Sequence, residues 1–160
     1  MATYYIKQKI LSIVDRFVVK DASGADCYTV EGNFSILKNL TLRDMNGAEL
    51  AQIKGRFSFL STFDIYQDGV LNATVRQEPA LFKTKLRVDG PNWIIVGNWM
   101  SSQFQITDMD GGDHARFSRE LWTWGDSYRI DIAPGEPEIL LLAIVIAIDA
   151  VIATQRAAAA

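Results

Sequence analysis

The sequence predicts a mainly β fold, a twelve-stranded closed antiparallel barrel that encloses a C-terminal hydrophobic α-helix. Residues 139–148 contain no polar side chain, so a helix built from them has no polar face and must be buried on all sides. The sequence before this segment alternates apolar and polar residues over short runs, which is typical of strands. Twelve strands in an open sheet would expose two edges, and closure removes them. A barrel wider than about eight strands leaves an interior that the helix can fill.

The length of the apolar segment favours burial in protein over burial in lipid. A helix over residues 139–153 spans about 22 Å, whereas a bilayer core is about 30 Å thick. Extending the segment to residues 137–156 includes Glu138, Asp149 and Gln155, and no cluster of basic residues flanks it. We therefore expect a core helix over about residues 137–154 and no integral membrane span, although a single-pass tail anchor is the alternative.

Asp149 is the most unusual residue of this helix. Its neighbours three and four positions away are apolar, and a carboxylate at the middle of a membrane costs about 2.5 kcal/mol or more. We expect Asp149 to have a structural role, either within a polar network inside the barrel or where the helix leaves it. The predicted domain covers residues 1–156 as one barrel, followed by a short tail at 157–160.

The strands repeat along the chain. An apolar-x-apolar pair followed by Asp recurs, and in four successive copies the first apolar residue is spaced by 23 positions. Two further copies follow at spacings of 18 and 24. Such periodicity indicates repeated supersecondary units. Six units of two strands give the twelve strands of the predicted barrel. The first residues of the six pairs are Phe17, Leu40, Phe63, Leu86, Phe104 and Tyr128.

The connections between strands carry the residues of tight turns. Residues 21–24, 44–47 and 108–111 each begin with Asp and end with Gly. In such turns Asp accepts nearby backbone N–H groups and Gly adopts a positive φ. Residues 67–69 and 89–92 predict shorter hairpins. Most strands are therefore expected to follow an up-and-down order.

Composition narrows the classes of partner and the cellular compartment. The formal charge of −3 and the pI of about 5.1 argue against broad nucleic-acid binding, so we expect no nucleic-acid partner. Cys27 is the single cysteine, which excludes an internal disulfide and suits a reducing compartment. The first residues lack the pattern of a signal peptide. We expect a cytoplasmic protein that is peripheral to the membrane if it binds lipid.

Four segments resemble the LURP-one-related family, including its bacterial members. They are residues 4–9 (YYIKQK), 17–21 (FVVKD), 122–128 (WTWGDSY) and the apolar run 140–149. The resemblance covers nearly the whole chain and implies the Tubby-like fold. It implies no agreed enzymatic activity and supplies no catalytic motif. Fold relatives include the Tubby proteins, which bind phosphoinositides, and the phospholipid scramblases, so the resemblance implies a lipid-facing or regulatory role.

A group of cations, which we name the basic stripe, is the candidate binding site. These cations alternate with apolar residues on predicted strands, so they should share the outer face of the wall. Tubby barrels use outward cations on neighbouring strands to contact lipid phosphates, and the resemblance implies the same use here. The alternative is a solvated face whose charges serve solubility. The basic stripe consists of Lys54, Arg56, Arg76, Lys83, Lys85 and Arg87.

Other polar clusters do not support catalysis or metal binding. The acidic loop that begins at Asp108 fails the EF-hand pattern, because Asp113 and Arg119 replace its required Gly and Glu. His114 and Cys27 are the only residues of their kinds and have no visible catalytic partners. No Cys/His cluster fits zinc, and no GxxxxGK loop is present. We expect no catalytic residue, metal or cofactor, and no enzymatic activity.

The sequence therefore predicts a non-enzymatic binding or scaffold module. Anionic phospholipid, including phosphoinositide-like lipid, is the leading ligand class, and it rests on the resemblance and on the basic stripe. The alternative is a protein-interaction module in a stress or regulatory pathway. Salt-dependent binding to anionic vesicles discriminates between the two, because only the lipid ligand requires it.

Overall fold

A computed structural model describes residues 1–7, 15–33, 39–56, 58, 60–79, 85–98, 103–122 and 125–159. These residues form twelve strands and one helix. The strands are β1 (Ala2–Lys7), β2 (Asp15–Asp21), β3 (Asp26–Asn33), β4 (Asn39–Asp44), β5 (Glu49–Arg56), β6 (Thr62–Gln67), β7 (Val70–Glu78), β8 (Lys85–Asp89), β9 (Trp93–Asn98), β10 (Gln103–Thr107), β11 (Asp113–Trp122) and β12 (Gly125–Ile132), and the helix is α1 (Glu138–Ala159).

The strands close into a single antiparallel barrel, which confirms the predicted architecture. Each strand pairs with its neighbours in sequence, and β1 pairs with both β2 and β12. The closing pair runs from Ala2 opposite Ile132 to Lys7 opposite Ser127. Within the described residues the wall therefore has no unpaired outer strand, which removes the edges that promote association of open sheets.

The sequence repeat corresponds to rings of inward side chains. The second apolar residue of every repeated pair is 0 % exposed. Because side chains alternate across a strand, these residues point to the barrel axis and their polar neighbours point to solvent. The repeat thus specifies which side of each even-numbered strand faces the core. The residues of this ring are Val19, Leu42, Ile65, Val88, Ile106 and Ile130.

The helix α1 fills the interior of the barrel. Residues 141–148 and 150–152 are all buried, and α1 contacts β5, β6, β7 and β12. The helix extends five residues beyond the predicted end at 154 and includes residues 157–159, which the sequence predicts as a tail. Alanine has the highest helix propensity, so the terminal alanines continue the helix. Tyr4 on β1 donates a 2.5 Å hydrogen bond to Glu138 in the first turn of α1.

Tight turns occupy one end of the barrel, which we name the turn end. Asp21, Asp44 and Asp108 each accept N–H groups from the residues two and four positions later. The glycine three positions after each Asp has a φ between 85° and 90°, as predicted. Asp68 and Gly69 also have positive φ, which suits a two-residue hairpin. The turn end comprises residues 20–26, 43–49, 67–70, 89–92, 108–114 and 131–138.

Candidate binding surface

The structure brings five residues of the basic stripe onto one outer face of the wall. Lys83 lies outside the described residues. The other five lie on β5, β7 and β8, and β6 lies between β5 and β7. Their apolar neighbours Ile53, Val75 and Leu86 are at most 1 % exposed and face the core. The cations therefore face outward. Arg56 and Arg76 lie near the ends of their strands that are opposite the turn end, whereas Arg87 lies two residues before Asp89 of the turn end.

Three arginines form one row across this face. The register places Arg56 opposite Thr62, Thr62 opposite Arg76, and Arg76 opposite Arg87. Neighbouring strands are about 4.8 Å apart, so Arg76 and Arg87 are direct neighbours. Lys54 lies beside this row, and its ammonium group is 5.1 Å from the centre of the Tyr66 ring.

Three carboxylates that the sequence analysis did not consider share this face. Asp64, Glu78 and Asp89 lie on β6, β7 and β8. Each carboxylate alternates with inward apolar residues of its strand, and this alternation was the signal that could have placed it among the cations. The described face therefore contains five cations and three carboxylates, with a formal charge of +2.

Arg56 and Asp64 form a structural pair. Two guanidinium nitrogens of Arg56 lie 2.8 Å and 3.0 Å from the two oxygens of Asp64. The hydroxyl of Thr74 donates a third bond to Asp64 at 2.7 Å. The Asp64 side chain is only 8 % exposed. A buried carboxylate needs such partners. The guanidinium group of Arg56 is therefore engaged by Asp64 and is not available to bind a ligand.

Arg76, Lys85 and Arg87 share two carboxylates. Arg76 Nε donates to Asp89 Oδ2 at 2.5 Å, and Arg87 Nε lies 3.5 Å from Asp89 Oδ1. Glu78 lies 3.4 Å from Arg76, 3.5 Å from Lys85 and 3.9 Å from Arg87. Asn92 accepts a 2.8 Å bond from Arg87. Three cations over two carboxylates leave one positive charge in excess.

The cations cover two of the carboxylates on this face. The Arg56 side chain is 57 % exposed above Asp64, and the Lys85 side chain is 65 % exposed beside Glu78, which is 19 % exposed. Asp89 differs, because it is more exposed than the two arginines that it contacts. Around Asp64 and Glu78 an approaching molecule therefore meets guanidinium and ammonium groups first.

Charge is distributed unequally along the barrel. The turn end contains 12 of the 19 acidic residues and two of the 16 basic residues, so its formal charge is −10 and that of the remaining sequence is +7. Several of these carboxylates are held ionised. A hydrogen bond from the Gly112 N–H group lowers the pKa of Asp108, and one from the Arg116 side chain lowers that of Asp113. The turn end is therefore strongly acidic at neutral pH.

His114 joins the turn before α1 to the barrel wall. Its ring stacks on Trp93 with centroids 4.4 Å apart, and its carbonyl accepts the Ala133 N–H group. Nδ1 lies 2.9 Å from Glu136 and Nε2 lies 3.6 Å from Asp108, and neither ring nitrogen forms a hydrogen bond. In the described part of the chain, no group of three or more His, Cys, Asp or Glu residues could hold a metal ion.

Tyr4 and Cys27 have pKa values that oppose a role as nucleophile or base. Burial raises the pKa of the Tyr4 hydroxyl, and its hydrogen bond to Glu138 adds to this effect. Burial also raises the pKa of the Cys27 thiol, and the charge of Asp21 adds to it. Both groups therefore stay protonated at neutral pH, whereas a reactive cysteine needs a lowered pKa.

Asp149 lies at a crevice between α1 and the wall. The half-buried carboxylate lines this crevice, whose other lining residues are apolar or aromatic, namely Ile6, Phe17, Phe117, Tyr128, Val145 and Ile146. Such a narrow crevice does not resemble the cavities of several hundred Å³ that hold small molecules. Among the helices of the described ranges, none combines the length and hydrophobicity that crossing a bilayer requires.

Comparisons with known proteins agree with this architecture. Residues 2–149 match the model of the LURP-one-related family. The chain belongs to the LURP-one-related family. This LURP-one-related protein is 32 % identical over 156 residues to the uncharacterized protein YxjI of Bacillus subtilis (strain 168), with 95 % of this chain and 94 % of YxjI covered. It also resembles the X-ray structure of the Arabidopsis thaliana protein AT5G01750, with a TM-score of 0.69 and 16 % identity over 94 % of this chain and 90 % of the other.

Proposed function

We propose that this LURP-one-related barrel is a non-enzymatic binding module that docks on anionic phospholipid, including phosphoinositide-like headgroups. The docking surface is the described face of β5–β8. The observation that carries the proposal is that Arg76, Lys85 and Arg87 outnumber the two carboxylates that they share, Glu78 and Asp89. A cytoplasmic location at the membrane periphery is part of this proposal.

The charge distribution supports binding despite the net charge of −3. A six-residue strand spans about 20 Å, whereas the Debye length at physiological salt is about 8 Å. Apart from Asp89, which contacts Arg76 and Arg87, most carboxylates of the turn end are therefore screened from a membrane that approaches the basic stripe. The resulting dipole orients the barrel with the turn end away from the anionic surface.

A protein-interaction module in a stress or regulatory pathway is the second candidate function. Met45 and Met109 occupy equivalent positions in two of the Asp–Gly turns and are 53 % and 57 % exposed. Exposed methionines are adaptable contact residues, and here they protrude from an acidic end. This arrangement favours a basic protein partner at the turn end.

Vesicle co-sedimentation tests the first proposal. The protein should sediment with vesicles that contain phosphatidylserine and should not sediment with vesicles of pure phosphatidylcholine. Added salt should release the bound protein. The double variant K54Q/K85Q should lose binding. The matched variant R16Q/R116Q removes two exposed cations elsewhere and should retain it. Absence of sedimentation at low salt, or equal loss in both variants, would refute docking through this face.

A further inference from the structure

We infer that Arg76, Lys85 and Arg87 form a subsite for a phosphate monoester, in a lipid headgroup or in a soluble phosphate ester. This inference specifies the ligand chemistry of the proposed docking face and rests on that proposal for its membrane form. It separates the basic stripe into a structural part around Arg56 and a ligand-binding part around Arg76 and Arg87.

The facing arginines are the first argument for the subsite. Arg76 and Arg87 occupy directly opposite positions on β7 and β8, and like charges at such positions destabilise a sheet. Glu78 and Asp89 offset this repulsion only in part, because they serve three cations. A bound phosphate would supply the missing negative charge at the place where the structure concentrates positive charge.

The hydrogen-bond inventory of the subsite is the second argument. Two guanidinium groups and one ammonium group provide more donors than two carboxylates and Asn92 can accept. The Nε atom of Arg87 is buried and has no hydrogen-bond partner. Asp89 Oδ1 lies only 3.5 Å from it while Oδ2 is engaged by Arg76. A phosphate that takes over Arg76 would free Asp89 to satisfy Arg87.

The number of cations favours a monoester over a diester. A phosphate monoester has three terminal oxygens, one for each of the three cations. A phosphodiester has only two free oxygens. Guanidinium groups bind phosphate through two parallel bonds, and lysine does not reproduce this geometry. Two arginines are therefore better suited to a monoester than to a diffuse anionic surface.

The headgroup test compares vesicles of phosphatidic acid with vesicles of phosphatidylserine at matched surface charge. Wild-type protein should bind phosphatidic acid about tenfold more tightly, the factor that corresponds to about 1.4 kcal/mol. R76K/R87K keeps the charge and should lose this preference while still binding both vesicles. R16Q/R116Q should retain the preference. Equal affinity of wild-type protein for both vesicles at matched charge would overturn the subsite and leave the docking proposal intact.

A soluble ester tests the subsite without a membrane. Glycerol phosphate should shift the Nε–H resonances of Arg76 and Arg87 in a ¹⁵N NMR titration, with little effect on Arg16. E78Q removes a competing carboxylate and should bind the ester more tightly than wild type. Saturable chemical-shift changes without vesicle binding would support the subsite and refute docking on a membrane. Unshifted arginine resonances at excess glycerol phosphate would refute the subsite whatever the vesicles show.

Discussion

Replacing Asp64 or Arg56 should show whether this part of the basic stripe is structural. Asp64→Ala removes the acceptor of a 2.7 Å bond from Thr74 and of two contacts from Arg56. Thr74 is 8 % exposed, so its hydroxyl would lose its partner in a place that water reaches poorly. An unsatisfied buried donor costs about 1–3 kcal/mol. We expect Asp64→Ala to lower the free energy of unfolding by about 2 kcal/mol.

Arg56→Gln should cost less than Asp64→Ala. Arg56 is more than half exposed, so solvent screening weakens the pair, and exposed ion pairs contribute about 0–1 kcal/mol. Asp64 keeps its bond from Thr74 in this variant. The double variant should cost little more than Asp64→Ala alone, because both single variants remove the same contact.

Urea unfolding followed by circular dichroism measures both changes. A loss of about 2 kcal/mol in a chain of 160 residues corresponds to a fall in Tm of about 4–8 °C. Arg43→Gln, which removes a guanidinium from another strand of the wall, is the matched control. A loss of stability below about 0.5 kcal/mol for Asp64→Ala, the level of an ordinary surface change, would contradict the structural role of the Arg56–Asp64 pair. Arg56 would then count among the ligand-binding cations.

Three further predictions concern the core, the wall and pH. Deletion from Pro137 onward removes eight buried large aliphatic side chains, each of which contributes about 1.5–3 kcal/mol. The truncated protein should therefore aggregate. A soluble fragment with a cooperative thermal transition would contradict the central-helix fold. Gly97→Ala would place a Cβ 2.4 Å from the Gln103 carbonyl and 2.6 Å from the Phe104 ring; thermal melting should report a loss of about 1–3 kcal/mol. The lowered pKa values of Asp108 and Asp113 stabilise the fold above pH about 4, and this contribution is lost as pH falls through their folded pKa values. In an acid titration, the Asp108→Asn variant should lose less stability than wild type as the pH falls. An unchanged dependence of stability on pH would show that Asp108 does not contribute to it.

The sequence contained most of the fold because every turn and strand carries its own local signal. The repeated pairs and the Asp–Gly turns predicted the strand number and the positions of the tight turns. The far end of α1 was placed too early, because a run of alanines has no stop signal and was interpreted as a tail. Helix propensity alone is enough to continue a helix that tertiary packing has already nucleated.

For the candidate surface, the sequence predicted the positions of the cations but not the carboxylates that pair with them. Alternation placed Lys54, Arg56 and the others on the outside of their strands, and that follows from single strands. The carboxylates Asp64, Glu78 and Asp89 reach the same cations from neighbouring strands, and this contact depends on register between strands. Register is fixed by turn lengths and bulges together, including the shift between Ile65 and Tyr66. The positions of the basic residues alone therefore do not reveal that most of these cations form ion pairs with carboxylates.

The closure of the barrel by β1 and β12 has a consequence for how the chain folds. Each other strand pair joins sequence neighbours, whereas this pair joins Ala2 to Ile132, and such distant contacts slow folding. The helix follows β12 in the chain and must enter before the wall shuts. We expect hairpins to form early and the β1–β12 seam to form last, around α1. Until then both seam strands are open edges, so ribosome-bound intermediates should be the form of this protein that is most prone to misassociate.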